Sequence, residues 1–320
     1  MNNYMIKIHP LESLIELFCE NLDIKKNSVK SYNALLQRYV GYLKRQNIQY
    51  AKRSDIIDYR ELMWEEGLRA NTIQKQIVVI RNFYQWLKVN QRQFEFEEVY
   101  QFNVAEKIKG AKIDRNYKKE PLNKEQAIKL IDVARQSKTN ITGYRNYAII
   151  LLMIITGVRS IEVVRAMKAD ISKLFNFSIL YVHGKGKDGA DTFVKLSVEV
   201  TDALNDYLNR RRDNSRYLFV THGETSSCQQ LSSNTLRRSI TNLMKQAGIY
   251  NAKHTPHSLR HTTAYLNLQA GGSLESTQQL LRHKNIETTL IYAHNINRIN
   301  DDSEFRINNY LFDEKEEENK

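Results

Sequence analysis

Thr255-Pro256-His257-Ser258-Leu259-Arg260-His261-Thr262 is the stretch on which the reading of this chain turns. A proline is preset for the first turn of a helix, so the stretch reads as a helix start. His257 and Arg260 lie about one turn apart and therefore face the same side of it. A helix start also attracts phosphate through amides that have no partner within the helix. A guanidinium, an imidazole and such amides at one point describe a site for an anion.

Three other segments carry groups that suit the same anion. Upstream, Thr156-Gly157-Val158-Arg159-Ser160-Ile161-Glu162 offers a second arginine. A guanidinium is a planar, permanently charged fork that matches two phosphate oxygens and the charge that builds as phosphorus is attacked. Between the strand-like runs 178–182 and 192–196, Gly184-Lys185-Gly186-Lys187-Asp188-Gly189 reads as the turn of a β-hairpin with Lys185 near its tip. A lysine in a cationic site can lose its proton near neutral pH and so protonate a leaving oxygen. Downstream, Leu280-Leu281-Arg282-His283-Lys284-Asn285-Ile286-Glu287-Thr288-Thr289-Leu290-Ile291-Tyr292 holds a second histidine and a tyrosine. With a reference pKa near ~10, a tyrosine hydroxyl needs a base and positive potential before it can attack. His257 and His283 could supply that setting. Each residue alone has an ordinary reading: Arg159 and Glu162 fit a helix-surface ion pair, and Tyr292 is one of eighteen tyrosines. In this order the six describe a phosphodiester held by cations and attacked by a tyrosine.

At these residues the chain resembles the tyrosine site-specific recombinases, the family of phage integrases and Xer proteins. The resemblance runs from about residue 121 to 292, and more loosely over the N-terminal helices. It implies that Arg159, Lys185, His257, Arg260, His283 and Tyr292 are the catalytic set. It also implies a mainly α fold, with an N-terminal helical core-binding domain and an α-rich catalytic domain that carries a small antiparallel β-sheet. The implied reaction runs through a 3′-phosphotyrosyl intermediate and a Holliday junction, on double-stranded DNA with paired inverted-repeat sites. A homo-tetramer, or an assembly with a related recombinase, would perform it. The biological role is left open between inversion, resolution or integration/excision of a mobile element and Xer-type chromosome dimer resolution. A type IB topoisomerase would use the same attack but religate the same strand, and a DNA-binding regulator would lack a catalytic residue. Two departures stand out: Arg282 takes a place where the family usually has glycine, and 189–194 lacks the usual Arg and Pro.

Composition agrees with a DNA partner: 48 Lys+Arg against 36 Asp+Glu give +12 and a pI near 9.4. Lys107, Lys109, Lys112, Arg115, Lys118 and Lys119 crowd a stretch with little apolar content, read here as a basic linker over 107–120. It divides a helical domain over 1–106 from a catalytic domain over 121–295, with a tail over 296–320. In the first domain helices are expected near 11–20, 29–46, 55–66 and 72–87, with Gly67 ending the third and Asn71 capping the fourth. Ile73, Ile77, Ile80, Tyr84 and Leu87 form an apolar stripe on that fourth helix. Lys25, Lys26, Lys30, Lys75 and Arg81 are left for the outer faces, where they could meet DNA. In the second domain Asn123 and Gln126 fit a capping box. A buried helix over 144–156 delivers Arg159, and helices follow near 198–211, 234–246 and 258–269. Arg237 and Arg238 on the 234–246 helix would enter a major groove or grip phosphates.

Two cysteines without a CxxC or Cys/His cluster suggest neither a disulfide framework nor a zinc site, and point to a reducing cytoplasm. The longest apolar run, 148–155, is too short to span a bilayer. No phosphate-binding glycine loop or dinucleotide fingerprint is found, so no small-molecule cofactor is expected. With only a short segment before residue 11, no added arm-type DNA-binding domain is expected. Phe305, Ile307, Tyr310, Leu311 and Phe312 make the tail too apolar for a solvated end, so it is expected to pack on a neighbouring subunit, or else to fold back on its own.

Overall fold

The computed structural model describes residues 10–94, 96–112, 120–184, 192–223, 228–251, 253–283 and 302–312. The chain divides into two compact units, Met1–Asn116 and Tyr117–Lys320.

The first unit is built from Pro10–Glu20 (α1), Lys26–Arg45 (α2), Arg53–Glu65 (α3) and Ala70–Asn90 (α4). All five residues of the α4 stripe are buried, and they meet Leu11, Ile15 and Phe18 of α1, Leu36 and Leu43 of α2, and Ile56 and Met63 of α3 in one core. Aromatic rings fill its centre, where Tyr39 touches Tyr59 and its hydroxyl lies 3.2 Å from that of Tyr84. Asn71 does not cap α4. The cap position belongs to Arg69, whose carbonyl accepts from the Thr72 and Ile73 amides, and Asn71 lies inside the helix. A side-chain cap contributes only about 1 kcal/mol, less than seating Ile73 in the core. After α4 the chain returns across this unit. Arg53, Arg60 and Arg81 donate to the carbonyls of Glu106, Lys109, Ala105 and Ile108, and Ile108 and Ala111 are buried against the core. Arg81 is thus committed to its own backbone, and Lys75 reaches the Ser31 hydroxyl at 2.6 Å.

The second unit contains Lys124–Gln136 (α5), Ile141–Thr156 (α6), Ser160–Arg165 (α7), Val198–Asn209 (α8), Ser233–Gln246 (α9), Pro256–Gln269 (α10), Leu274–Leu281 (α11) and Ser303–Phe312 (α12). Asn123 and Gln126 cap α5 reciprocally, at 2.8 and 3.1 Å. α6 is buried continuously from Ala148 to Ile154 and packs against α5, α8, α9 and α10. The mainly helical fold with a small antiparallel sheet is borne out. Its strands are Ile171–Leu174 (β1), Phe177–Val182 (β2) and Thr192–Leu196 (β3), in the order β1-β2-β3. Leu180 pairs with Ile171 on one side and Val194 on the other, and Leu180, Val182, Val194 and Leu196 turn into the core. β1 is an addition to the expected hairpin. It turns into β2 through the two residues Phe175-Asn176, of which Phe175, at φ 51 and 89% exposed, takes the left-handed position where a glycine or asparagine is usual.

The end of α6 is where this unit is tightest. Gly157 closes the helix at φ 64, and a Cβ there would lie 2.6 Å from Leu281 Cδ2 and 3.3 Å from Thr263 Cγ2. Thr263 of α10 sends its hydroxyl to the Ile154 carbonyl at 2.7 Å. Gly157→Ala therefore meets both a left-handed backbone and a collision, and should cost about 3 kcal/mol in urea unfolding. Gly271 has φ 85 but nothing within 4 Å of a Cβ, so Gly271→Ala should lose only about 1 kcal/mol. Equal losses would show that the methyl at 157 is accommodated.

Candidate active site

The site forms where the start of α7, the first turns of α10 and the end of α11 meet. Arg260 holds them together. It is 2% exposed, and its two terminal nitrogens donate to the carbonyls of Gly157 and Leu281. Gly157 lies two residues before Arg159, and Leu281 two before His283, so one guanidinium fixes both neighbouring segments. His257 is exposed on the first turn of α10 and stacks edge-on against buried His261 at 4.6 Å. That turn starts on the Thr255 amide, which donates to the Ser258 hydroxyl at 3.0 Å.

Arg159 occupies the N-cap of α7. Its backbone amide donates to Glu162 Oε2 and its Nη1 to Oε1, each at 2.8 Å. The pair is no ordinary surface bridge: Glu162 is 2% exposed, whereas the Arg159 side chain remains 36% exposed. Arg282 Nη2 reaches the same carboxylate at 2.8 Å. Burial pushes the Glu162 carboxyl up, but Arg282 and the Arg159 amide and guanidinium together pull it below the ordinary carboxylate range. Arg282 itself ends α11 in the left-handed region, at φ 55 and ψ 44, which is why a glycine suits this position.

His283 follows, half-buried, with its amide on the Gln278 carbonyl at 3.1 Å. Its imidazole is driven down to about 4, first by burial and then by the positive charges of Arg260, Arg159 and Arg282, with His257 adding to them. At neutral pH His283 is therefore an uncharged ring that can donate a hydrogen bond without adding charge. Arg159, His257, Arg260 and His283 are thus brought together. Lys185 and Tyr292 lie outside the described residues. The base of the Lys185 segment is anchored: Arg165 Nη1 donates to the Gly184 carbonyl at 3.1 Å, and His183 Nε2 meets the Asp170 carboxylate at 2.9 Å.

The sequence reading missed the burial of Glu162 and the anchoring by Arg165, Asp170 and His183. The signal for Glu162 was its place one helical turn after Arg159; for the others there was none. Arg159 and Arg282 share the buried carboxylate, and with Arg260 all three act on His283, a positive surplus that matches a phosphodiester and the charge it gains on attack.

Comparison with known proteins places the chain among enzymes of DNA rearrangement. The model of the Phage integrase family matches residues 120–298, and that of the Phage integrase N-terminal SAM-like domain matches residues 15–91. Tyrosine recombinase XerD of Staphylococcus haemolyticus is 28% identical over 305 residues, covering 89% of this chain and 94% of its own. Tyrosine recombinase XerA of Pyrococcus furiosus is 28% identical over 285 residues, covering 88% of each chain. In fold, the chain is similar to XerH site-specific recombinase bound to a palindromic difH substrate, with TM-score 0.70 and 20% identity over 88% of this chain and 81% of that one.

The depressed imidazole of His283 has a thermodynamic signature. Between pH 6.5 and about 4 the unfolded chain binds a proton at this residue that the folded chain refuses, so stability is full above that window and falls as pH drops through it. His283→Gln should lose less stability than the parent over this window, read from urea midpoints at several pH values. Identical losses would mean that His283 titrates as a solvated imidazole.

Proposed function

This chain belongs to the phage integrase family, and from that premise we propose that it is a site-specific tyrosine recombinase that cuts and rejoins double-stranded DNA. The observation that carries the reading is the gathering of Arg159, His257 and Arg260 about His283, with Arg159 anchored on a buried carboxylate and a surplus of positive charge left over. Arg159, Arg260 and His283 hold the non-bridging oxygens of the scissile phosphate. Tyr292 attacks phosphorus, His257 takes up its proton, and Lys185 donates one to the departing 5′ oxygen. The Tyr292 oxygen–phosphorus bond forms as the bond to the 5′ oxygen breaks, which leaves a 3′-phosphotyrosyl ester and a free 5′ hydroxyl. A 5′ hydroxyl from the partner duplex reverses the attack and releases Tyr292. Bond energy is kept in the ester throughout, so no nucleotide cofactor enters.

Exchange of both strand pairs through a Holliday junction requires several copies, and we assign a homo-tetramer on paired inverted-repeat sites. α12 supports this: Phe305, Ile307, Tyr310 and Leu311 are all exposed along it, apolar surface suited to a neighbouring subunit. In the first unit Lys25, Lys26 and Lys30 are offered to the duplex, and in the second the exposed Arg237 and Arg238 of α9. XerH on its difH substrate, and lambda integrase on a COC′ core site, are recombinases of this fold caught on DNA. The Xer relatives, matched over most of both chains, favour recombination at a simple site such as a chromosome dimer resolution site, within the cytoplasm.

The test is covalent capture. The protein is incubated with fragmented DNA from around its own gene, quenched with denaturant, and the attached fragments are sequenced. Adducts at one inverted-repeat site are expected, absent in Tyr292→Phe although that variant still binds, and about a hundredfold slower to form in Lys185→Ala. Adducts that persist in Tyr292→Phe would refute the nucleophile, and adducts scattered over all sequences would mark a topoisomerase.

A further inference from the structure

We propose that Arg282 is a positioning residue of the phosphate site: by taking one oxygen of Glu162 it fixes the buried carboxylate so that Arg159 is held by the other and remains turned toward the phosphate. The inference rests on the reading of the preceding subsection and concerns a residue outside the proposed catalytic set.

Three features of Arg282 are costly, and none is needed to end a helix. Its backbone lies at φ 55, a region that side chains other than those of Asn and Asp rarely enter. Its guanidinium is largely buried, with 11% of the side chain exposed. Its Nε is buried without a hydrogen-bond partner among the described residues. Glycine would end α11 at the same angles and avoid all three. Strain kept at a site is a pointer to function when the strained group makes a specific contact there. Arg282 does: Nη2 donates to Glu162 Oε2 at 2.8 Å, and Nη1 is steadied by the Leu280 carbonyl at 3.2 Å.

What that contact achieves follows from how the carboxylate is divided. Oε2 takes the Arg282 guanidinium and the Arg159 amide, and Oε1 takes Arg159 Nη1. A buried carboxylate must be neutralised, and with Arg159 as its sole cationic partner the two groups would close into a fork-to-fork pair that draws both terminal nitrogens of Arg159 inward. With Arg282 in place, Arg159 is held by one terminal nitrogen and keeps 36% of its side chain exposed. The groups that act electrostatically here are Arg159 and Glu162 at the start of α7, His257 and Arg260 on α10, and Arg282 and His283 at the end of α11.

The test compares Arg282→Gly and Arg282→Lys with the parent. Glycine relieves the backbone but leaves the buried carboxylate with Arg159 as its sole cationic partner among the described residues, so the rates are compared at a temperature where urea unfolding shows both chains folded. Single-turnover cleavage by Arg282→Gly should fall at least tenfold, with DNA affinity within about twofold, and the acid limb of its rate–pH profile should move to higher pH as Glu162 gains proton affinity. Arg282→Lys, which keeps the charge without the fork, should recover part of the rate. A second readout needs no DNA: the Arg159 Nε–H resonance should shift in Arg282→Gly. Parental cleavage and an unchanged pH limb in Arg282→Gly would overturn the proposal. If the parent itself forms no adduct, the recombinase reading falls, and an unmoved Arg159 resonance would still overturn the positioning role on its own.

Discussion

The guanidinium of Arg260 is the tie on which the second unit's site depends. It is buried and spans two carbonyls, Gly157 at the end of α6 and Leu281 at the end of α11, which are remote in sequence and adjacent here. A buried carbonyl without a donor costs about 1–3 kcal/mol, so the contact satisfies the acceptors as well as joining them. Only arginine suits it: the fork reaches two acceptors at fixed geometry and keeps its charge when desolvated, where a lysine would lose its proton. The requirement propagates. Gly157 must turn left-handed and approach Leu281 closely, Thr263 must tie α10 to α6, and the residues two places beyond each carbonyl become neighbours.

Electrostatics then divides labour among those neighbours. Glu162 is ionised inside the unit because cations and an amide converge on it, and its charge orients Arg159 while the surplus of guanidinium groups stays positive. Burial first, and then the same surplus, keep His283 unprotonated, so the imidazole contributes a directional hydrogen bond and leaves the charge to the arginines. An arrangement fixed before substrate arrives needs little reorganisation as charge develops on phosphorus.

Much of this was legible in the sequence, and the rest was hidden for identifiable reasons. The α4 stripe, the Asn123–Gln126 box and the pairing of His257 with Arg260 rest on spacing along the chain, which a sequence displays, whereas Arg159 and His283 joined that pair through the family resemblance. Asn71 misled because capping is a small local preference that tertiary register overrides. β1 went unread because it is only four residues long and its turn sets Phe175 before Asn176, with the apolar residue in the left-handed position. Glu162 looked like a surface partner because burial is a property of the fold, and Arg282 looked like a departure because its value lies in a carboxylate distant in sequence. Lys185 and Tyr292 rest on motif alone.

The basic surplus of the chain also reads differently once its arginines are placed. Arg53, Arg60 and Arg81 hold the returning segment of the first unit by its carbonyls. Arg145 is buried on the Val220 carbonyl at 2.9 Å, and Arg211 on those of Tyr217 and Leu218 at 2.7 and 3.0 Å. These arginines are thus taken up by backbone acceptors, a task for a fork, while Lys25, Lys26 and Lys30 sit on the surface where a flexible point charge can follow a polyanion. Net charge therefore overstates what is available to DNA. The argument for DNA chemistry is carried by the site, where the same property that makes arginine a good structural clamp, a permanent charge with fixed geometry, makes Arg159 and Arg260 suited to a phosphate.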